Sequence, residues 1–123
     1  MLDQFVCNLH DKSMLIYKIF RAHEWADLQT NGETPGAPID VADGYVHFST
    51  AETVAETAAK YFAGVEGLVL LALEADSLDP LKWEPARAGV LFPHLYRNLR
   101  LSDILWDAPL PLVDGTHQFP DLT

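Results

Sequence analysis

Gly67-Leu-Val-Leu-Leu-Ala-Leu73 is an unbroken apolar run. A strand with one wet face alternates apolar and polar residues; this one does not, so both of its faces must be covered. The run has strand length and is far shorter than the roughly 18 residues that span a bilayer. The chain must therefore build a layer on each side of a central strand. Gly64 stops the element before it, and Asp76 to Pro80 turns the chain after it.

Met14-Leu-Ile-Tyr-Lys-Ile-Phe20 reads as a second strand, rich in β-branched and aromatic residues. Arg21 to Gln29 reads as a helix, with Trp25 and Leu28 on one face, ended by Asn31-Gly32. Residues 34–38 contain two prolines and a glycine and read as a loop; Ile39 to Val41 reads as a short extended piece. Thr50 to Phe62 reads as a helix whose Ala51, Val54, Ala55, Ala58 and Phe62 form one stripe. Leu81 to Glu84 reads as a short edge strand ended by Pro85. Val90 to Tyr96 reads as an edge or interrupted strand, because Pro93 has no N–H for a ladder. Leu99 to Trp106 reads as a strand and Leu110 to Val113 as a poorer one. The expected class is α+β, a mostly antiparallel sheet with two main helices. Residues 1–13 read as an N-terminal extension, 14–113 as one domain and 114–123 as a C-terminal tail.

With 18 acidic and 8 basic side chains among 123 residues, the net charge is −10. Such a surface repels polyanions, so non-specific nucleic-acid binding is not expected. One cysteine, no signal-peptide pattern and no membrane-spanning run point to the cytoplasm. Half of the basic residues (Lys82, Arg87, Arg97 and Arg100) fall in one segment whose only acid is Glu84. A local positive site on an acidic chain suits a discrete small anion or nucleotide.

Asp43-Gly44-Tyr45-Val46-His47-Phe48-Ser49-Thr50-Ala51-Glu52 holds a turn, a strand, a histidine and a helix start. Alternation places Tyr45 and His47 on one strand face, open to a cleft, and Val46 and Phe48 on the buried one. Ser49-x-x-Glu52 matches a capping box, so Ser49 reads as a cap rather than a nucleophile. His47 thereby stands at a strand–helix junction, where free backbone N–H groups favour a phosphorylated or hydroxyl-rich ligand.

His94 lies in Phe92-Pro93-His94-Leu95-Tyr96, and extension would point Phe92, His94 and Tyr96 the same way. Aromatic faces stack on bases and guanidinium forks grip phosphates. Phe92 and Trp83 read as core. Glu84, close to Arg87, is a candidate base or cation stabiliser, or a partner of that arginine. No metal motif, paired cysteines, Walker loop or G-x-G-x-x-G is present, so no metal is expected.

Met14-Leu-Ile-Tyr-Lys-Ile, Trp25, Asp43 to Thr50, Leu81-Lys-Trp-Glu84 and Phe92-Pro-His-Leu-Tyr96, in that order, resemble a small bacterial family of unknown function, DUF952. The resemblance covers about residues 14–113. It implies an ADP-ribosyltransferase-like split sheet. Val46-His47-Phe48-Ser49, the alanine-rich helix and the apolar strand are similar to the NAD-binding half of tRNA 2′-phosphotransferases. That likeness implies NAD as a ligand, with His47 on its ribose and Tyr45 lining the cleft.

Three functions remain open. The first is an NAD-dependent transferase using His47, Glu84 and His94, with Tyr45, Ser49, Arg87, Tyr96 and Arg97 holding the cofactor. The second is a non-catalytic nucleotide or ADP-ribose binding module. The third is a small-anion hydrolase or lyase with His47 and His94 as acid and base. The main pocket is expected to join His47 to His94, Tyr96 and at least one of Arg87, Arg97 or Arg100, since an NAD-like ligand needs both a ribose and ring site and a phosphate site.

Overall fold

The computed structural model describes residues 14–122, so the extension read at 1–13 lies outside the described residues. Its elements are β1 (Leu15–Phe20), α1 (Ala22–Asn31), β2 (Glu33–Thr34), α2 (Pro38–Asp43), β3 (Val46–His47), α3 (Val54–Tyr61), β4 (Leu68–Glu74), β5 (Leu81–Pro85), β6 (Leu91–Leu95), β7 (Leu99–Arg100), β8 (Ile104–Leu110), β9 (Leu112–Val113) and β10 (Thr116–His117).

The apolar run is the middle strand of an antiparallel sheet ordered β1–β4–β8. Period-two alternation divides its side chains between two cores. Ile16, Phe20, Leu71 and Leu73 pack with Leu28 of α1 and with Val46, Phe48 and Leu95 of the neighbouring strands. Tyr17, Ile19, Leu68, Leu70 and Ala72 pack with Val54 and Ala58 of α3. A second antiparallel sheet is ordered β3–β6–β5. The two meet at one bridge, where Tyr17 and Ser49 exchange backbone hydrogen bonds of 2.8 Å. Among the described residues the architecture is α+β, mostly antiparallel, with three α-helices.

Several elements differ from the sequence expectation. Residues 39–41 are not extended; they lie in α2. Pro38 starts that helix with a preset φ, and the Asp40 carboxylate accepts the Ala37 N–H at 2.7 Å. Gly44, at φ 86°, closes it in the left-handed region.

The third helix begins at Val54, and the Ser49–Glu52 capping box does not form. Bridging to β1 consumes the Ser49 N–H that Glu52 would have taken. Thr53 Oγ1 instead accepts the Thr50 N–H at 2.9 Å, and Ser49 Oγ meets Thr57 Oγ1 at 3.0 Å.

Strand β6 is the centre of its sheet, not an edge. Phe48 N–H donates to the Pro93 carbonyl at 3.1 Å. Pro93 has no N–H to return the bond, so pairing with β3 stops there. The expected strand over 99–106 is interrupted by a 3₁₀ turn at Leu101–Asp103 between β7 and β8.

Residues after 113 pack on the domain. β10 pairs with β9, a His117 ring nitrogen lies 2.7 Å from the Val65 carbonyl, and the Tyr17 hydroxyl donates to Leu122 O at 3.2 Å. Among the described residues no helix is long and apolar enough to cross a membrane.

Candidate functional site

Strand register sets the site. His47 and His94 are direct partners across β3 and β6, so their rings rise from one face of the second sheet. Their centroids lie 5.3 Å apart at 70°. Tyr45 stacks on His94 at 4.2 Å and also touches His47 and Tyr96. Val46 and Phe48 turn into the core, while Tyr45 and His47 stay partly open. The two imidazoles border a cavity of about 790 Å³. Tyr45, Ser49, Arg87 and Phe92 line it as well.

Each imidazole is backed by a carboxylate. His47 Nδ1 lies 2.6 Å from Asp40 Oδ1, and Nε2 lies 2.9 Å from Asp43 Oδ2. The Asp40 carboxylate is fully buried and accepts from Lys18 Nζ, which also donates to the His47 carbonyl at 2.8 Å. Burial pushes the Asp40 carboxyl up, but hydrogen bonds from His47 and Lys18 outweigh it and hold the group below the usual carboxylate range. Burial likewise lowers the Lys18 ammonium, against the pull of Asp40.

Behind His94, Glu84 Oε1 lies 2.8 Å from Nδ1 and accepts from the Tyr96 hydroxyl at 2.6 Å. These two contacts draw the Glu84 carboxyl below its ordinary value. The Tyr96 phenol is pushed up to about 12, first by that hydrogen bond and then by desolvation.

Arg87 supplies one cation; Arg21 and Lys18 line the same cavity. The Arg87 guanidinium carbon sits 4.7 Å from the Phe92 ring centroid and 5.6 Å from that of Tyr61. One arm donates to Thr57 Oγ1 at 2.9 Å; the other, Nη1, is buried without a hydrogen-bond partner. A buried unsatisfied donor costs desolvation energy, and a ligand anion removes that cost.

The expected residues therefore divide. Tyr45, His47, Ser49, Arg87 and His94 line one cavity. Glu84 and Tyr96 stand behind His94, and Glu84 bonds His94 and Tyr96 rather than Arg87. Arg97 lies elsewhere, held by both oxygens of Asp103 at 2.9 and 3.1 Å. Arg100 lies in β7, across from Glu33. Phe92 is core, but Trp83 is 38% exposed on edge strand β5.

Asp40, Lys18 and Asp43 were missed, though two had local signals. Lys18 shares a strand face with Ile16 and Phe20, and a core lysine requires a buried anion. Pro38 followed by Asp40 is a helix start, which aims a carboxylate back at the chain. Gly36 approaches closely enough, at φ 106°, that an added Cβ would fall 2.6 Å from Asp40 Cβ. Gly36→Ala is expected to lower stability by about 1–3 kcal/mol through this overlap. Chemical denaturation checks it, and an unchanged midpoint would show that the loop yields freely. Among the described residues no group of three or more His, Cys, Asp or Glu side chains is placed to hold a metal.

A family model described as protein of unknown function (DUF952) matches residues 19–107. The crystal structure of protein CC0527 from Caulobacter crescentus is similar, with 48% identity and a TM-score of 0.81 over 85% of this chain and 93% of that one. The solution structure of CC0527 is similar as well, with 46% identity and a TM-score of 0.75 over 84% of this chain and 90% of that one. No curated protein matches the chain.

Proposed function

This chain belongs to the DUF952 family, and within it we propose that the His47–His94 cavity is a nucleotide-binding site of the ADP-ribosyltransferase type, with NAD as its ligand. One observation carries this: Arg87, whose guanidinium keeps one nitrogen without a hydrogen-bond partner, lines the same cavity as His47. A volume of about 790 Å³ is ample for a dinucleotide-sized ligand. The residues present fit the cofactor's parts. Arg87 receives phosphate oxygens, Tyr45 offers a ring, and His47 Nε2 reaches a ribose hydroxyl once Asp43 moves aside. NAD, when bound, supplies a nicotinamide leaving group on its glycosidic bond. Glu84 orients His94 in this arrangement and does not itself meet the ribose.

NAD is expected to bind in a calorimetric titration, and His47→Ala to weaken that binding by about 1–3 kcal/mol, the scale of one lost hydrogen bond in a closed site. Release of free nicotinamide marks cleavage of the glycosidic bond, with the ribosyl group passed to water or to an acceptor, and recovery of an ADP-ribosylated acceptor marks a transferase; binding without release marks a nucleotide-binding module. Absence of heat with both NAD and ADP-ribose would rule the nucleotide reading out.

A second reading rests on the two carboxylate-backed imidazoles facing each other. Such a pair suits general acid and base in a hydrolase or lyase acting on another small anion. It predicts turnover of that substrate that is lost when either histidine is replaced by alanine.

A further inference from the structure

We propose that Asp40 is the positioning residue of His47: it holds the ring proton on Nδ1 and leaves Nε2 as the acceptor nitrogen that works in the cavity. Both ring nitrogens face carboxylates, Asp40 at 2.6 Å and Asp43 at 2.9 Å. The neutral imidazole has one N–H, so the two acids compete for it.

Environment decides the competition. The Asp40 side chain is 0% exposed, whereas that of Asp43 is 43% exposed and shares its charge with water. Asp40 is also fixed independently of the imidazole. Its oxygens accept from Lys18 Nζ, from the Ala37 N–H at 2.7 Å and from the His47 N–H at 3.0 Å. The last bond ties the carboxylate to the backbone of the residue whose ring it orients. In the neutral Nδ1–H ring Asp43 is left opposite the Nε2 lone pair, so this exposed contact is the one that yields when a ligand hydroxyl or acidic proton arrives.

The other groups around the ring do not supply a rival. His94 meets it edge-on, the Tyr45 ring is tilted over it, and Lys18 donates to the His47 carbonyl. Fixing a tautomer through a buried acid is the usual way an imidazole is made ready for acid–base or hydrogen-bonding work.

The inference rests on the cavity reading for its purpose, but its test uses the ligand-free protein. Failure of NAD to bind would leave it standing, and its own failure would leave NAD binding untouched. Long-range ¹H–¹⁵N correlation spectra of the histidine side chains, taken above the imidazole titration, report the tautomer. His47 is expected to show a pyrrole-type Nδ1 and a pyridine-type Nε2. Asp43→Ala is expected to preserve that pattern, since it keeps the Asp40 carboxylate and its Lys18 partner. Lys18→Met/Asp40→Ala removes both buried charges together and is expected to shift His47 toward the Nε2–H form common in free imidazoles. A wild-type His47 already in the Nε2–H form overturns the proposal, whatever the variants do. So does loss of the Nδ1–H form in Asp43→Ala, or its persistence in a folded double variant.

Discussion

Asp40→Ala is expected to cost about 3–5 kcal/mol of stability, the effect of removing one member of a buried ion pair. The Lys18 ammonium, 7% exposed on the Ile16–Phe20 face of β1, would be left in an apolar layer without its counter-ion. The Ala37 and His47 N–H groups would lose their acceptor as well. Lys18→Met/Asp40→Ala is expected to be more stable than Asp40→Ala alone, because it strands no charge. Denaturant unfolding of the variants measures the difference. Equal losses in the single and double variants would show that Asp40 acts only through the backbone it caps.

The pair also shapes the acid limb of stability. The native Asp40 carboxyl lies below its unfolded value of about 3.9. Its contribution is therefore complete above that value and is lost as pH falls through the lower native one. Lys18 enters as a cost rather than a gain: its lowered native value means the charged form is disfavoured in the fold, a cost that begins to be relieved as pH rises past that value and is gone above the ordinary lysine range. Asp40→Ala is expected to flatten the acid limb.

Arg87→Met is expected to weaken NAD binding roughly 10- to 150-fold, the 1.5–3 kcal/mol of a hydrogen bond to a charged group. Stability should change much less. Methionine preserves apolar contact with Phe92 and Tyr61, and loss of the Thr57 hydrogen bond is offset by removal of the buried, unpartnered Nη1 donor. Affinity and stability thus separate at this position, as they do where a site is held ready at the expense of the fold. Calorimetry and thermal unfolding on one preparation test both. Unchanged NAD affinity with a large drop in melting temperature would make Arg87 a packing residue.

Local pattern carried much of the site. Alternation in Tyr45 to Phe48 placed His47 and Tyr45 toward the open side, and the same period placed His94 beside Phe92 and Tyr96. Charge counting was a poorer guide. Arg87, Arg97 and Arg100 look alike along the chain, yet one faces the cavity and the others pair with or oppose acids at another end of the molecule. Backbone demand misled at Ser49: a hydroxyl followed three residues later by Glu52 satisfies a capping box, but the bridge to Tyr17 claimed the amide first.

What this chain's sequence determined by itself is the periodic and the local: a strand covered on both faces at 68–74, the turn before β3 and the strand face of each histidine; of the stripe expected for α3 only Val54 and Ala58 are buried, while Ala51 and Ala55 are exposed. The strand, the turn and the histidine faces follow from side-chain period and from backbone groups a few residues apart. Only the tertiary structure decided which strands pair, that His47 stands opposite His94, and that Lys18 meets Asp40 across 22 positions of sequence. The reason is that a buried charge specifies only that some counter-ion must come to it. Which one comes is set by packing of apolar faces that many registers would satisfy locally, and that one satisfies everywhere at once.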